Sequence, residues 1–134
     1  MSGPRPETGA PGGFRLPPSS RITRTRDIRA LLRKGGRKKT SHLDVFFLSS
    51  GCREPRLGLV VPKHGRRIVE RNRLKRRLRE VARQEVLPGL RRERVGADVL
   101  VRARREAYAA GYEELRRELV EVTKELCSRL SSWR

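Results

Sequence analysis

Residues 57–102 read LGLVVPKHGRRIVERNRLKRRLREVARQEVLPGLRRERVGADVLVR, and this stretch decides the fold. It opens on Leu57-Gly-Leu-Val-Val61, a run of strand formers closed by Pro62. Gly65 loosens the loop that follows. From Ile68 the period changes. With Leu74 at the centre of one helical face, Leu78, Val81 and Ala82 fall beside it at about 100° per residue. Arg71, Asn72, Lys75, Arg76, Arg79 and Arg83 fall on the other side. The spacing predicts a helix over 68–86, stopped at Leu87-Pro88-Gly89. Asp98-Val-Leu-Val-Arg102 then reads as a further strand. Strand, helix, strand in this order is a β-α-β unit.

Upstream, Leu43-Asp-Val-Phe-Phe-Leu-Ser-Ser50 is rich in strand formers, and residues 51–55 make a turn toward 57–61. These two strands are expected to form an antiparallel hairpin. Before them lies a short helix within 20–39. Thr25 is its expected N-cap, Ile28, Leu31 and Leu32 share a face, and Gly35-Gly36 end it. Downstream, Leu115, Leu119, Val122 and Leu126 step by four, three and four, which predicts a helix over 112–130. Residues 1–19 are dominated by Gly and Pro without apolar periodicity, so a disordered tail is expected there and one domain over 20–131.

Charge points to the partner. Thirty-four Lys and Arg stand against fifteen Asp and Glu, a formal net charge of +19. A compact domain carries such an excess at the cost of self-repulsion, which a polyanion relieves. The excess is uneven. Residues 21–39 hold nine Lys and Arg against Asp27 alone, and the helix over 68–86 is cationic on one side. The last helix is mildly acidic. A salt-bridged solvent face would alternate signs, whereas this helix scarcely does. Arg71, Lys75 and Arg79 line one edge at i, i+4 and i+8, with Arg76 and Arg83 extending the surface and Asn72 among them. Such a face suits phosphates together with base edges or 2′-hydroxyls.

The segment Arg71-Asn72-Arg73, Lys75-Arg76, Arg79-Glu80 resembles the R-N-R-x-K-R-x-x-R-E signature of the bacterial ribonuclease P protein family. Arg33-Lys34-Gly35 is similar to the end of that family's first basic helix, Arg56 to Val61 resembles its R-x-G-x-x-V strand, and Lys63 stands at the first of its two lysines. The resemblance runs from about Arg21 to Leu130. It implies an α+β two-layer sandwich in the order α-β-β-β-α-β-α, ribosomal protein S5 domain 2-like, with a left-handed β-α-β crossover against the usual rule. Periodicity alone yields three strands, and the fourth is expected from a subdivision of 43–61. The family's protein assists a ribozyme that removes the 5′ leader of precursor tRNA. The partners implied are ribonuclease P RNA and precursor tRNA, with magnesium held mainly by the RNA and no obligate protein partner. By transfer, Arg71, Asn72, Arg73, Lys75, Arg76 and Arg79 contact the RNA, with Lys63, Arg66 and Arg67 in the preceding loop. Ile28, Leu32 and Phe46 line a leader-binding cleft. Two departures stand out. Ile28 and Leu32 replace the phenylalanines of many members, leaving Phe46 to stack on bases, and His64 replaces a lysine with the glycine one place early.

Other chemistries lack their residues. Cys52 and Cys127 have no metal spacing, Asp27, Asp44 and Asp98 stand apart, and His42 and His64 are the only histidines. No signal peptide, apolar span or lipidation motif is present, and a cytoplasmic location is expected. Read without the resemblance, the residues leave open a ribosomal-type RNA-binding protein or RNA chaperone, and a DNA-binding protein using the same helix.

Overall fold

The computed structural model describes residues 21–51 and 54–131, so the tail expected over 1–19 and Cys52 lie outside the described residues. Among the described residues the order is α1 Thr25–Lys34, β1 Gly36–Lys39, β2 Leu43–Gly51, β3 Arg56–Val60, α2 Ile68–Val81, a π-turn Ala82–Val86, α3 Leu87–Arg92, β4 Gly96–Ala103, a 3₁₀ turn Arg105–Ala109, and α4 Tyr112–Ser131.

Four strands form one mixed sheet in the order β1-β2-β4-β3. β4 runs antiparallel to β2 and parallel to β3. The expected hairpin between 43–50 and 57–61 is therefore not formed, because β4 lies between the two strands. The β-α-β unit from β3 through the helix to β4 is present as a directly paired parallel ladder, with Leu57 opposite Val99 and Leu59 opposite Val101. The fourth strand also differs from expectation. It comes from Gly36–Lys39, in the stretch read as the helix and its stop, rather than from 43–61. Gly36 lies opposite Phe47, whose ring sits 2.5 Å from where a Gly36 Cβ would stand. The aromatic ring covers the bare edge glycine, and no larger residue fits beneath it.

Strand alternation sorts the residues into two clusters. Leu43, Val45 and Phe47 of β2 and Ala97, Val99 and Val101 of β4 join Leu74, Leu78 and Val81 of α2 and Leu115, Leu119, Val122 and Leu126 of α4 in the main core. The apolar face read from α2 and the stripe read from α4 are both buried here. On the opposite face Phe46 and Leu100 meet Ile22 and Leu31, with Ile28, Leu48 and Val60 partly covered. The sandwich of sheet on α2–α4 thus carries α1 alone on its second face.

The helical boundaries correct two further expectations. Arg24, not Thr25, is the N-cap of α1, and Thr25 begins the helix. The helix over 68–86 does not stop at Leu87-Pro88-Gly89. Its backbone stays helical through a π-turn in which the Leu87 N–H reaches the Ala82 carbonyl, and α3 carries Pro88 in its first turn. A proline clashes with the carbonyl four residues earlier, and the widened turn makes room for the ring.

Two buried carboxylates on the α1 face are matched by arginines. Arg56 grips Asp98 bidentately, Nε to Oδ1 at 3.0 Å and an amino nitrogen to Oδ2 at 2.8 Å. Asp44 accepts from Arg37 at 3.1 Å and from Arg102 at 3.3 Å. Burial raises the Asp44 carboxyl, but the hydrogen bonds from the two guanidiniums outweigh it and hold the pKa below its ordinary value of 3.8. A depressed folded-state value stabilises the fold above that pH, and the contribution vanishes as pH falls through the folded value. Asp44→Asn is therefore expected to lower stability near neutrality and to flatten the loss of stability below about pH 4. Urea unfolding of both proteins across pH 2–6 checks this, and parallel acid limbs would refute it.

Candidate nucleic-acid interface

α2 carries six Lys and Arg and two Glu, and its packing divides the cations by role. Leu74 and Leu78 anchor the buried side, so residues on the flanks can turn inward to the backbone. Arg71 does so, its Nε donating to the Val61 carbonyl at 2.7 Å. Arg77 does so on the other flank, donating to the Ala110 carbonyl at 3.1 Å. These two arginines fasten α2 to the residue that follows β3 and to the C-cap of the 3₁₀ turn. Arg83 is paired with Glu80 at 2.9 Å. Asn72, Arg73 and Arg76 stand exposed, and no carboxylate among the described residues pairs with Arg73 or Arg76. Lys75 is half-buried between Arg71 and Arg79. Burial first, then repulsion from those two cations, pushes its ammonium below the usual lysine value. An approaching anion would favour the charged ammonium and so oppose this shift. The row Arg71, Lys75, Arg79 thus shades from a structural arginine to a crowded lysine to a half-buried arginine, and the outward face is Asn72, Arg73 and Arg76.

The loop before α2 is held in one shape. His64 and Gly65 both have positive φ, 50° and 81°, and the Arg66 N–H bonds the Lys63 carbonyl at 2.8 Å. Gly65 suits that region, whereas His64 carries some strain there. Tyr108, from the 3₁₀ turn, braces the loop. Its hydroxyl donates to the Pro62 carbonyl at 2.6 Å, its ring meets His64 edge-on, and the Arg66 guanidinium lies 5.3 Å above it. At the helix start the Arg67 N–H donates to Glu70 at 3.0 Å, and Arg66 pairs with Glu70 at 3.4 Å. Lys63, Arg66 and Arg67 are all exposed or partly so, next to Ile68 and Val69, which are more than half exposed.

The cleft residues do not behave alike. Ile28 packs partly into the small cluster under α1, while Leu32 is 41% exposed. Leu31, grouped with them by periodicity, is the one fully buried. Phe46 is only 6% exposed, so its ring offers no open face for stacking. Two residues that periodicity did not single out stand over it. The guanidinium carbons of Arg37 and Arg102 lie 5.7 and 5.3 Å from the ring centroid. Arg37 was hidden just past the expected helix stop, in residues not read as a strand. Arg102 was findable, since alternation from Asp98 through Leu100 places it on the Phe46 side of the sheet.

The two histidines have separate neighbours, His64 meeting Tyr108 edge-on. His42 is bonded through Nδ1 and its backbone N–H to Glu118 of α4, which Thr40 also reaches at 2.6 Å. Among the described residues no three His, Cys, Asp or Glu come together as metal ligands, and no helix is long and apolar enough to cross a membrane.

Fold and surface together define a small α+β protein with a mixed four-stranded sheet and a cationic helix face turned outward. The family model described as Ribonuclease P matches residues 16–127. The ribonuclease P protein component of Syntrophobacter fumaroxidans is 36% identical over 118 residues, covering 86% of this chain and 88% of that one. That of Acidothermus cellulolyticus is 36% identical over 107 residues, covering 77% and 84%. Among solved structures, the RNase P protein of Staphylococcus aureus superposes with a TM-score of 0.65 at 25% identity, covering 78% of this chain and 93% of that chain. That of Thermotoga maritima gives 0.63 at 25%, covering 78% and 96%. This chain belongs to the ribonuclease P protein family.

Proposed function

We propose that the chain is the protein subunit of a ribonuclease P that removes the 5′ leader from precursor tRNA in the cytoplasm. Its exposed α2 face binds the catalytic RNA, and the cleft between α1 and the sheet takes the leader. The observation that carries this reading is Arg73 and Arg76, side by side with Asn72 on the outer face of a helix already fastened at Arg71 and Arg77, in a chain of this family. Cations free of carboxylates are available to phosphates, and a helix bonded at both flanks presents them without further ordering cost. Lys63, Arg66 and Arg67 extend that surface along the braced loop.

The chain supplies binding, and the hydrolysis belongs to the RNA with its magnesium. The protein side chains screen phosphate repulsion between the catalytic RNA and its substrate, lowering the magnesium needed. The left-handed β-α-β crossover is part of the same reading of the fold.

The test is cleavage of precursor tRNA by a bacterial ribonuclease P RNA at low magnesium, with and without the protein. The protein alone is expected to be inert, and adding it to the RNA is expected to restore cleavage at the mature 5′ end. Tight RNA binding with no effect on the ribozyme would instead assign it to the ribosomal-type or chaperone class. Preference for duplex DNA over structured RNA in competition would overturn both.

A further inference from the structure

We propose that Arg37 and Arg102, laid over the Phe46 ring, are the surface that single-stranded leader RNA touches in this chain. The inference rests on the ribonuclease P reading and deepens its cleft. It replaces aromatic stacking by Phe46 with contact to two guanidiniums.

The sheet register places the three residues together. Arg37 is directly opposite Phe46 on β1, Phe46 opposite Leu100 on β4, and Arg102 opposite Asp44 two residues along. All therefore face the α1 side. Phe46 packs in one cluster with Leu31, Ile22 and Leu100. What reaches solvent at this point is the arginine pair, with side chains 51% and 38% exposed. Asp44 holds both, yet one carboxylate cannot neutralise two guanidiniums. Lys39, opposite Asp44 on the same face, adds a further exposed cation. The neighbouring carboxylate on β4, Asp98, is taken by Arg56. The patch is thus cationic in excess and fixed in place.

This arrangement has a definite chemistry. An arginine plane resting on an aromatic ring keeps its outer face and its remaining N–H groups available. The outer face can stack on an unpaired base, and the N–H edge can bond a phosphate. Neither contact reads base identity. A leader held so would be recognised through its backbone and π-faces, with little preference for sequence. Asp44, nearly buried, orients the guanidiniums without meeting the RNA.

The experiment uses the reconstituted holoenzyme of this protein with a bacterial ribonuclease P RNA. Binding is measured for mature tRNA and for precursor tRNAs with leaders of different length and sequence, over a range of salt. Arg37→Ala and Arg102→Ala are each expected to weaken leader-bearing precursor by roughly fivefold and to lower its salt slope by about one unit or less. Mature tRNA binding should not change. Phe46→Leu keeps an apolar support beneath both arginines and is expected to cost less than either alanine variant. Arg37→Lys and Arg102→Lys should keep the salt slope but recover only part of the affinity. The proposal is overturned if Phe46→Leu costs more than the arginine variants, or if those variants weaken precursor and mature tRNA alike while circular dichroism shows them folded. A wild-type chain that fails to assemble with the RNA overturns the ribonuclease P reading and this inference with it. Normal assembly with arginine variants that bind precursor like the wild type overturns this inference alone.

Discussion

Replacing Arg73 and Arg76 together by alanine is expected to weaken binding to ribonuclease P RNA by roughly a hundredfold, two charged hydrogen bonds at about 1.5 kcal/mol each. The dependence of log affinity on log salt should flatten by about two units or less, since fewer phosphates are neutralised and fewer counterions released. Both side chains are exposed, so the unfolding midpoint in urea should scarcely move. Arg71→Ala provides the contrast. Its Nε is committed to the Val61 carbonyl, so its loss should show first in stability, as an unpaired carbonyl and a looser α2. Filter binding across a salt series, paired with urea unfolding, separates the two classes. A double variant whose slope equals that of the wild type removes both residues from the interface.

That distinction was only partly legible in the sequence. Helical periodicity placed Arg71, Lys75 and Arg79 on one edge, and they are there. Periodicity measures angle and not reach, so it could not tell which arginine would turn back to bond the Val61 carbonyl. The buried faces of α2 and α4 were readable because Leu74, Leu78, Leu115, Leu119, Val122 and Leu126 recur at helical spacing and all reach the core. Strand pairing was not readable in the same way. Leu43–Ser50 and Leu57–Val61 are adjacent in sequence, and local reasoning joins them. What separates them is β4, buried on both faces along most of its length and paired with β2 on one edge and β3 on the other. The strand Gly36-Arg-Lys-Lys39 carries no apolar side chain at all. Its place at the sheet edge comes from backbone pairing with β2 and from the Phe47 ring over Gly36, neither of which a composition window registers. Phe46 and Ile28 were expected to lie near each other, and they share the small cluster under α1. The arginines over the Phe46 ring were not legible, because they come from two strands brought together only by the register.

Arg56→Ala is expected to destabilise the fold by about 3–5 kcal/mol, the largest single-residue effect foreseen on stability. Arg56 stands at the junction of three elements. It belongs to β3, it grips Asp98 of β4 with two hydrogen bonds, and it lies 3.8 Å from Asp27 of α1. The hydrogen bonds to Asp98 raise its own pKa further, so it stays charged at every accessible pH. The Asp98 side chain is 10% exposed. Without the arginine this carboxylate loses its two-point grip in a poorly hydrated site, which costs free energy. Much of the effect belongs to that poorer solvation of the carboxylate rather than to the ion pair itself. Arg56→Met combined with Asp98→Leu should therefore recover most of the loss, since it removes both charges and keeps apolar bulk at both positions. Arg56→Lys should recover less, because one ammonium cannot reproduce the planar two-point grip. Urea unfolding of the single and double variants decides between the two sources of the energy. A double variant as unstable as Arg56→Ala would mean that the pair is favourable in its own right. It would also mean that α1, which reaches Arg56 through Asp27, depends on that guanidinium to stay seated over the cleft.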